Sequence, residues 1–192
     1  DSPTLNLFAY SGGASIAMAQ GGAAVCHLDA SHGSIEWARK NQEMNPDAAR
    51  GIRWICDDAM KFVSREARRG RKYRGIVLDP PSFGRGAQGQ VWKIESGVAD
   101  LLESCRAILD VSGPFFLLLT CHSQGFSAFS LGRMLRQAFP DFQDRVEAGE
   151  MLIPEESAPG RALPAGLFAR IQGSPSLAAT SRPRKPVSKM RR

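Results

Sequence analysis

The chain has 192 residues, of which 43% are hydrophobic and 23% charged, which is the composition of a folded domain and not of a disordered polymer. It contains no apolar stretch of the roughly 18 residues that a membrane span needs, which excludes a membrane protein. Its four cysteines are widely spaced without a CxxC pair. This spacing excludes a disulfide scaffold and a structural zinc site and predicts a cytoplasmic protein. The net charge of +6 suggests a nucleic-acid partner only if that charge lies on the folded part.

Short β-rich runs alternate with helical patterns along most of the chain. The predicted strands are residues 4–8, 24–29, 53–56, 75–79 and 115–120. The predicted helices are residues 14–19, 34–45, 59–68, 98–109 and 130–139. Strict alternation predicts a doubly wound α/β fold, in which a mainly parallel sheet is covered by helices on both faces.

The last third of the chain has a different pattern. Residues 142–153 and 166–171 are strand-like and flank a link rich in proline and glycine, which predicts an antiparallel pair at one edge of the sheet. We therefore expect one domain over residues 1–171 and a basic, disordered tail over residues 172–192. All 19 acidic residues precede Ser157, whereas eight of the 25 basic residues follow it. The folded part is thus not basic overall, and bulk charge says little about an RNA partner.

In an open α/β sheet the ligand binds beyond the carboxyl ends of the strands. The first strand runs through Phe8 and Ala9 into a turn of small residues, with Tyr10, Gly12 and Gly13 before a helix whose free amides favour a polar ligand. The second strand ends on Asp29 and Ala30, where a carboxylate can accept hydrogen bonds from ribose hydroxyls or cap the next helix. The turn after the first strand lacks the GxGxxG pattern of dinucleotide sites, so the two features favour an adenosine-containing ligand other than a dinucleotide.

Two further strand ends carry carboxylates. Asp57 and Asp58 follow the third strand, and we expect one to cap the following helix while the other, assigned as Asp58, binds an adenine amino group. Asp79, Pro80 and Pro81 follow the fourth strand. Consecutive prolines fix the backbone and hold the preceding residue extended, which suits a rigid rim beside a flat ring.

These segments together resemble class I S-adenosylmethionine-dependent methyltransferases. In particular they are similar to the bacterial family that forms 5-methylcytosine and 7-methylguanine in large-subunit ribosomal RNA. The resemblance covers about residues 4–171 and rests on residues 6–13, 29–31, 36–41, 57–59 and 79–83, which occur in the family's order and spacing. It implies a Rossmann-like seven-stranded sheet, mostly parallel, that ends in an antiparallel hairpin.

The resemblance also implies roles for the site residues. S-adenosylmethionine would be the cofactor, with its methionine part against the 10–13 loop, its ribose at Asp29 and its adenine at Asp58. Asp79 would lie where the methyl group meets the target base. The chain opens on Asp1 and not on Met, and we expect a longer parent with an upstream substrate-binding domain.

The sequence leaves open which atom of the base receives the methyl group. Methylation of carbon 5 of cytosine needs a cysteine thiolate that adds to carbon 6, and Cys121 at the end of the fifth strand has the right position, with His122 beside it. Cys121 could equally be a small residue that lines a pocket, and the segment Thr120-Cys121-His122-Ser123 departs from the Ser-Cys-Ser pattern of the 5-methylcytosine branch.

Methylation of a nitrogen, such as guanine N7 or an exocyclic amine, would need no covalent step, and a catalytically inactive binding module is the third hypothesis. In the nitrogen case the Asp79 carboxylate and nearby carbonyls would orient the base, and Phe83 would stack on it. Arg85 and Lys93 are placed to meet phosphates, in or beside a mobile loop over residues 83–91. Cys26, Cys56 and Cys105 are expected in the core. His27 and His32 lack metal-ligand spacing, so no metal site is predicted.

Overall fold

The computed structural model describes residues 3–48, 51–85, 89, 91–157 and 160–174. Strands and helices alternate along this part of the chain as predicted. The strands are β1 (Thr4–Leu7), β2 (Val25–Asp29), β3 (Ile52–Cys56), β4 (Gly75–Leu78), β5 (Phe83–Arg85), β6 (Val91–Lys93), β7 (Phe115–Cys121), β8 (Glu147–Pro154) and β9 (Ala162–Gly173). The helices are α1 (Gly13–Gln20), α2 (His32–Glu43), α3 (Ala59–Arg68), α4 (Ile94–Arg106) and α5 (Ala128–Ala138).

Seven strands form one sheet in the order β3-β2-β1-β4-β7-β9-β8. The strands from β3 to β7 in this order are parallel, whereas β9 is antiparallel to both β7 and β8. The predicted doubly wound fold with an antiparallel pair at one edge is therefore confirmed. Strand order reverses between β1 and β4, which opens a crevice at their carboxyl ends.

The structure corrects several details of the sequence reading. Residues 142–145, predicted as strand, belong to the 3-10 segment Pro140–Arg145, and β9 continues to Gly173, two residues past the predicted domain boundary. Part of the predicted mobile loop forms the antiparallel pair β5–β6. The predicted tail from residue 175 onward lies outside the described residues. None of the described helices has both the length and the hydropathy needed to cross a bilayer.

One face of α4 is apolar and belongs to the core. Val98, Leu101, Leu102 and Cys105 have no exposed surface and pack with the buried residues of β1, β4 and β7. Truncation of a buried leucine such as Leu101 to alanine costs about 2 to 5 kcal/mol. Helix α4 therefore shares one core cluster with the parallel strands whose ends form the crevice.

A buried polar chain connects β1, α1 and β2. The Asn6 amide donates to the Ser15 hydroxyl at 2.8 Å, and the same hydroxyl lies 2.9 Å from Nδ1 of His27. His27 has no exposed surface, and its Nε2 atom has no partner among the described residues. Burial lowers the pKa of His27 to about 4, because a charged imidazole would lose its hydration there.

This burial predicts a loss of stability in mild acid. The unfolded chain protonates His27 near the ordinary pKa of 6.5, whereas the folded chain resists protonation until about pH 4. The stabilisation is complete above pH 6.5 and is lost as the pH falls through this window. Urea unfolding at pH 7.5 and 4.5 should show that wild type loses about 2 to 3 kcal/mol more than His27→Gln. His32→Gln, which changes an exposed histidine, should behave as wild type, and an equal loss in His27→Gln would contradict this assignment.

Candidate active site

A cavity of about 540 Å³ lies at the carboxyl edge of the parallel strands, a volume in the range of small-ligand sites. Nine of the residues predicted from the sequence line it, namely Phe8, Tyr10, Asp29, Ala30, Asp57, Asp58, Asp79, Pro80 and Pro81. Four others, Ala9, Gly12, Gly13 and Cys121, are not among its described lining residues. The loops after β1, β2, β3 and β4 thus meet at one site.

Asp29 ties the first two of these loops together. Its Oδ2 atom accepts the backbone amide of Tyr10 at 2.9 Å, and its Oδ1 atom accepts the amide of Ser31 at 2.9 Å. Phe8 and Tyr10 both have positive φ angles, 57° and 45°, a conformation that side chains other than glycine rarely adopt. The carboxylate therefore holds the strained turn after β1 in place. The alternative role of Asp29 as a helix cap is wrong, because Ser31 caps α2.

Gly12 lets this turn pack closely against α2. It caps α1 with a φ of +86°, and a Cβ atom at this position would lie 3.0 Å from the Cβ of Ala38 in α2. A side chain would therefore be strained and crowded at once. The Asn41 side chain of α2 donates to the Ser11 carbonyl at 2.8 Å. Gly12 thus shapes the loop through its conformation and its packing against α2, although it does not line the cavity.

The carboxylates after β3 have separate partners. Asp58 caps α3 by accepting the Lys61 amide at 2.9 Å through Oδ1, while Asp57 pairs with the Arg65 guanidinium at 2.7 Å. The sequence predicted that one carboxylate would cap α3 and that the other, Asp58, would bind adenine. In the structure Asp58 itself is the cap. Because Oδ1 of Asp58 holds the helix, Oδ2 is the atom that would receive a ligand amine.

The rim after β4 is rigid and polar. The Thr120 hydroxyl of β7 donates to Oδ1 of Asp79 at 2.7 Å, and Nε2 of His122 lies 3.4 Å from the same oxygen. The Pro81 carbonyl accepts the Trp92 indole N–H at 2.8 Å. Because side chains from β7 and the β5–β6 hairpin contact it, the Asp79-Pro80-Pro81 segment is held from both sides.

The β5–β6 hairpin forms the outer wall of the cavity. The Trp92 ring packs against the Phe8 ring with centroids 4.9 Å apart. Gly84, Arg85 and Trp92 line the cavity, and the Arg85 guanidinium lies 5.9 Å from the centre of the exposed Phe83 ring. The hairpin therefore presents a cation and an aromatic face at the cavity mouth.

Cys121 occupies a different environment from its neighbours. It is only 1% exposed and belongs to the core cluster, together with Leu117 and Leu119 on the same face of β7. His122 and Ser123, the next two residues, line the cavity. Side chains alternate along a strand, so the thiol points to the core while Thr120 points to Asp79.

The remaining cysteines and histidines supply no metal site. Cys26 and Cys105 are buried as predicted, and burial raises the pKa of the Cys26 thiol to about 11. Cys56, predicted in the core, is exposed, because it ends the edge strand β3 beside Asp29 and Asp57. Within the described ranges, no group of three or more histidine, cysteine or carboxylate side chains is arranged to hold a metal ion.

The sequence reading missed several lining residues. Among them are Ser31, Ser34, Ser82, Trp92 and Ser123, whereas His122, named as the neighbour of Cys121, lines the cavity itself. Ser82 and Ser123 follow the ends of β4 and β7, and their hydroxyls lie 2.7 Å apart, so strand-end position was an available signal for both. Trp92 had no such signal, because only the hairpin brings it to the cavity.

Comparisons with known proteins agree with this architecture. The profile of a family described as S-adenosylmethionine-dependent methyltransferase matches residues 2–144. The chain is 30% identical over 174 residues to the ribosomal RNA large subunit methyltransferase I of Aeromonas salmonicida, a match that covers 85% of this chain and 41% of that protein. The chain thus spans less than half of that relative.

Solved structures of methyltransferases share this fold. A SAM-dependent methyltransferase from Agrobacterium tumefaciens superimposes with a TM-score of 0.80 at 41% identity, over 90% of this chain and 56% of that one. Magnesium protoporphyrin IX methyltransferase from Synechocystis, solved with bound SAM, shares the fold with a TM-score of 0.53 at 13% identity, over 88% of this chain and 69% of that one.

The two hydrogen bonds of Asp29 predict that an amide cannot replace its carboxylate. In Asp29→Asn one backbone N–H would face an NH₂ group, so the turn after β1 would lose a charged acceptor worth about 1.5 to 3 kcal/mol. Calorimetric titration with S-adenosylmethionine should show a dissociation constant raised about 10- to 100-fold. Asp47→Asn, on an exposed 3-10 turn, is the matched control. Unchanged affinity in Asp29→Asn would contradict this role.

Proposed function

Because the chain belongs to the family of S-adenosylmethionine-dependent methyltransferases, we propose that it binds this cofactor in the strand-end cavity and transfers its methyl group to a base of large-subunit ribosomal RNA. One observation carries the proposal: a single cavity joins Asp29 and Asp58 to the Asp79-Pro80-Pro81 rim. Adenosine-binding carboxylates and a rigid rim for a flat base thereby occupy one space.

The cavity suits the cofactor in size and chemistry. Its volume of about 540 Å³ is bounded by apolar groups of Phe8, Leu28 and Ala59 as well as by carboxylates, a combination typical of cofactor sites. Asp29 would accept the ribose hydroxyls, Asp58 the adenine amine, and the turn from Phe8 to Tyr10 would contact the methionine part. When bound, S-adenosylmethionine supplies an electrophilic methyl group on a positively charged sulfur.

The Asp79 carboxylate lies beside the place where the base would enter. Because Thr120 fixes one of its oxygens, the carboxylate would orient a base amine without reorganising. Pro80 and Pro81 would hold the backbone carbonyls of the rim rigid against the ring. Ser82 and Ser123, bonded to each other, would close the floor of the base pocket.

An RNA substrate is supported by the cavity mouth and by the relatives. The Aeromonas relative is named as a ribosomal RNA methyltransferase, and Arg85 beside exposed Phe83 offers a phosphate contact and a stacking face. Ribosomal RNA would place the protein in the cytoplasm. The match covers 41% of that relative, so its assignment to ribosomal RNA comes to this chain as part of the proposal.

Two acceptor atoms remain candidates. The position of Cys121 favours carbon 5 of cytosine, because it lies between Thr120, which bonds Asp79, and His122, which lines the cavity. This route requires the Cys121 thiol, which the structure places in the core, to reach carbon 6 of the base through a local rearrangement at the end of β7. The burial of the thiol is the observation that favours the second candidate, a base nitrogen, which needs no covalent step.

Cofactor binding and methyl transfer together test the proposal. We expect calorimetry to detect S-adenosylmethionine binding and tritium from the labelled methyl group to enter large-subunit ribosomal RNA. Binding without transfer to any RNA would instead support a catalytically inactive binding module. Failure to bind the cofactor would contradict the proposal at its first step.

RNA containing 5-fluorocytosine distinguishes the acceptor atoms, because fluorine at carbon 5 cannot leave as a proton. For carbon methylation we expect a protein–RNA adduct that survives denaturing electrophoresis and disappears in Cys121→Ala. Cys56→Ala, which removes an exposed thiol, should keep the adduct. An active protein that forms no adduct would establish nitrogen as the acceptor.

A further inference from the structure

The His122 imidazole lies in a space beside Gly166 of β9. A Cβ atom on Gly166 of β9 would lie 2.7 Å from Nδ1 and 2.9 Å from Cε1 of the ring, distances that real side chains do not tolerate. Gly166 also has a φ of +104°, a conformation that favours glycine. The absence of a side chain at Gly166 leaves the space beside β9 in which the ring lies.

The same ring faces the reacting side of the cavity. Its Nε2 atom lies 3.4 Å from Oδ1 of Asp79, and the side chain remains 56% exposed. Thr120 already donates to this oxygen at 2.7 Å, so Asp79 does not depend on His122 for its orientation. The imidazole is therefore free to exchange a proton while the carboxylate stays fixed beside it.

The carboxylates of the lining already have protein partners. Those of Asp29 and Asp58 accept backbone amides, and Asp57 pairs with Arg65. Asp79 accepts the Thr120 hydroxyl. His122 is the only imidazole in the described lining, and histidine is the side chain that most often serves as a general base.

We propose that His122 is a catalytic residue that accepts the proton released by the acceptor atom of the RNA base during methylation. The inference rests on the function proposed above. The acceptor atom gains the methyl group, the electron pair of the broken sulfur–carbon bond stays on sulfur, and the acceptor's own proton passes to neutral Nε2. The Asp79 carboxylate then stabilises the imidazolium, and the exposed ring returns the proton to water.

This role restricts the substrate. On the carbon route the proton leaves carbon 5 of cytosine, and the electrons of that bond restore the ring double bond as the thiolate departs. On the nitrogen route the proton leaves an exocyclic amine. Guanine N7 carries no hydrogen and releases no proton when it is methylated. The acceptor atom is therefore one that bears a hydrogen.

Single-turnover methyl transfer to large-subunit ribosomal RNA from pH 5 to 9 tests the proposal. Asp79, from the end of β4, is the charged group in contact with the ring; Asp29, Asp57, Asp58 and Arg85 line the same cavity, and Gly166 of β9 is neutral. Wild type should show a pH-dependent rate. His122→Gln should lose this dependence and be about 100-fold slower or more, with cofactor affinity unchanged.

Chemical rescue separates proton transfer from a structural role. Added imidazole should restore part of the rate to His122→Ala and none to Asp79→Ala. His32→Gln, whose imidazole lies on the exposed face of α2 next to Glu36, should match wild type. An unchanged rate and pH profile in His122→Gln, or 7-methylguanosine as the product nucleoside, would overturn this inference alone. Wild type that binds the cofactor and methylates no RNA would overturn the proposed function and the inference with it.

Discussion

The register of the parallel strands is the constraint on which the site depends. Four leucines pair in one buried row across the sheet, namely Leu28 of β2, Leu7 of β1, Leu78 of β4 and Leu119 of β7. The residues that follow them are Asp29, Phe8, Asp79 and Thr120. Because parallel strands in register end at the same edge, these four positions open onto one crevice. A shift by one residue in any strand would turn its site residue to the other face.

Several site residues stabilise the loops that they belong to. Asp29 holds the strained turn at Tyr10, Asp58 caps α3, and Asp79 accepts the Thr120 hydroxyl. Each carboxylate is therefore fixed in position by the protein before a ligand arrives, and its remaining lone pairs are available for recognition. Such preorganisation lowers the entropy that binding must overcome. It also explains why carboxylates and not amides occupy these positions, since each accepts hydrogen bonds without offering a competing donor.

The order of strand ends predicted the fold and about half of the residues that line the cavity. Alternating strand and helix patterns were enough for the sheet and its antiparallel edge, because buried parallel strands are short apolar runs that differ clearly from amphipathic helices. The same pattern located Asp29, Asp58 and Asp79. It did not find Trp92, because the β5–β6 hairpin combines a three-residue strand with a glycine-rich loop and has no hydrophobic period. Net charge was equally uninformative, since the basic surplus lies after Ser157.

By itself, the sequence determined which residues end the strands and therefore which side chains can reach the crevice. Only the tertiary structure decided which of these side chains point into the crevice. Cys121 and His122 are adjacent in the chain, yet the alternation of side chains along β7 buries the thiol in the core and leaves the imidazole at the cavity, in the space beside Gly166. Orientation at a strand end depends on what packs against each face, and β9, which pairs with the end of β7, is distant in sequence.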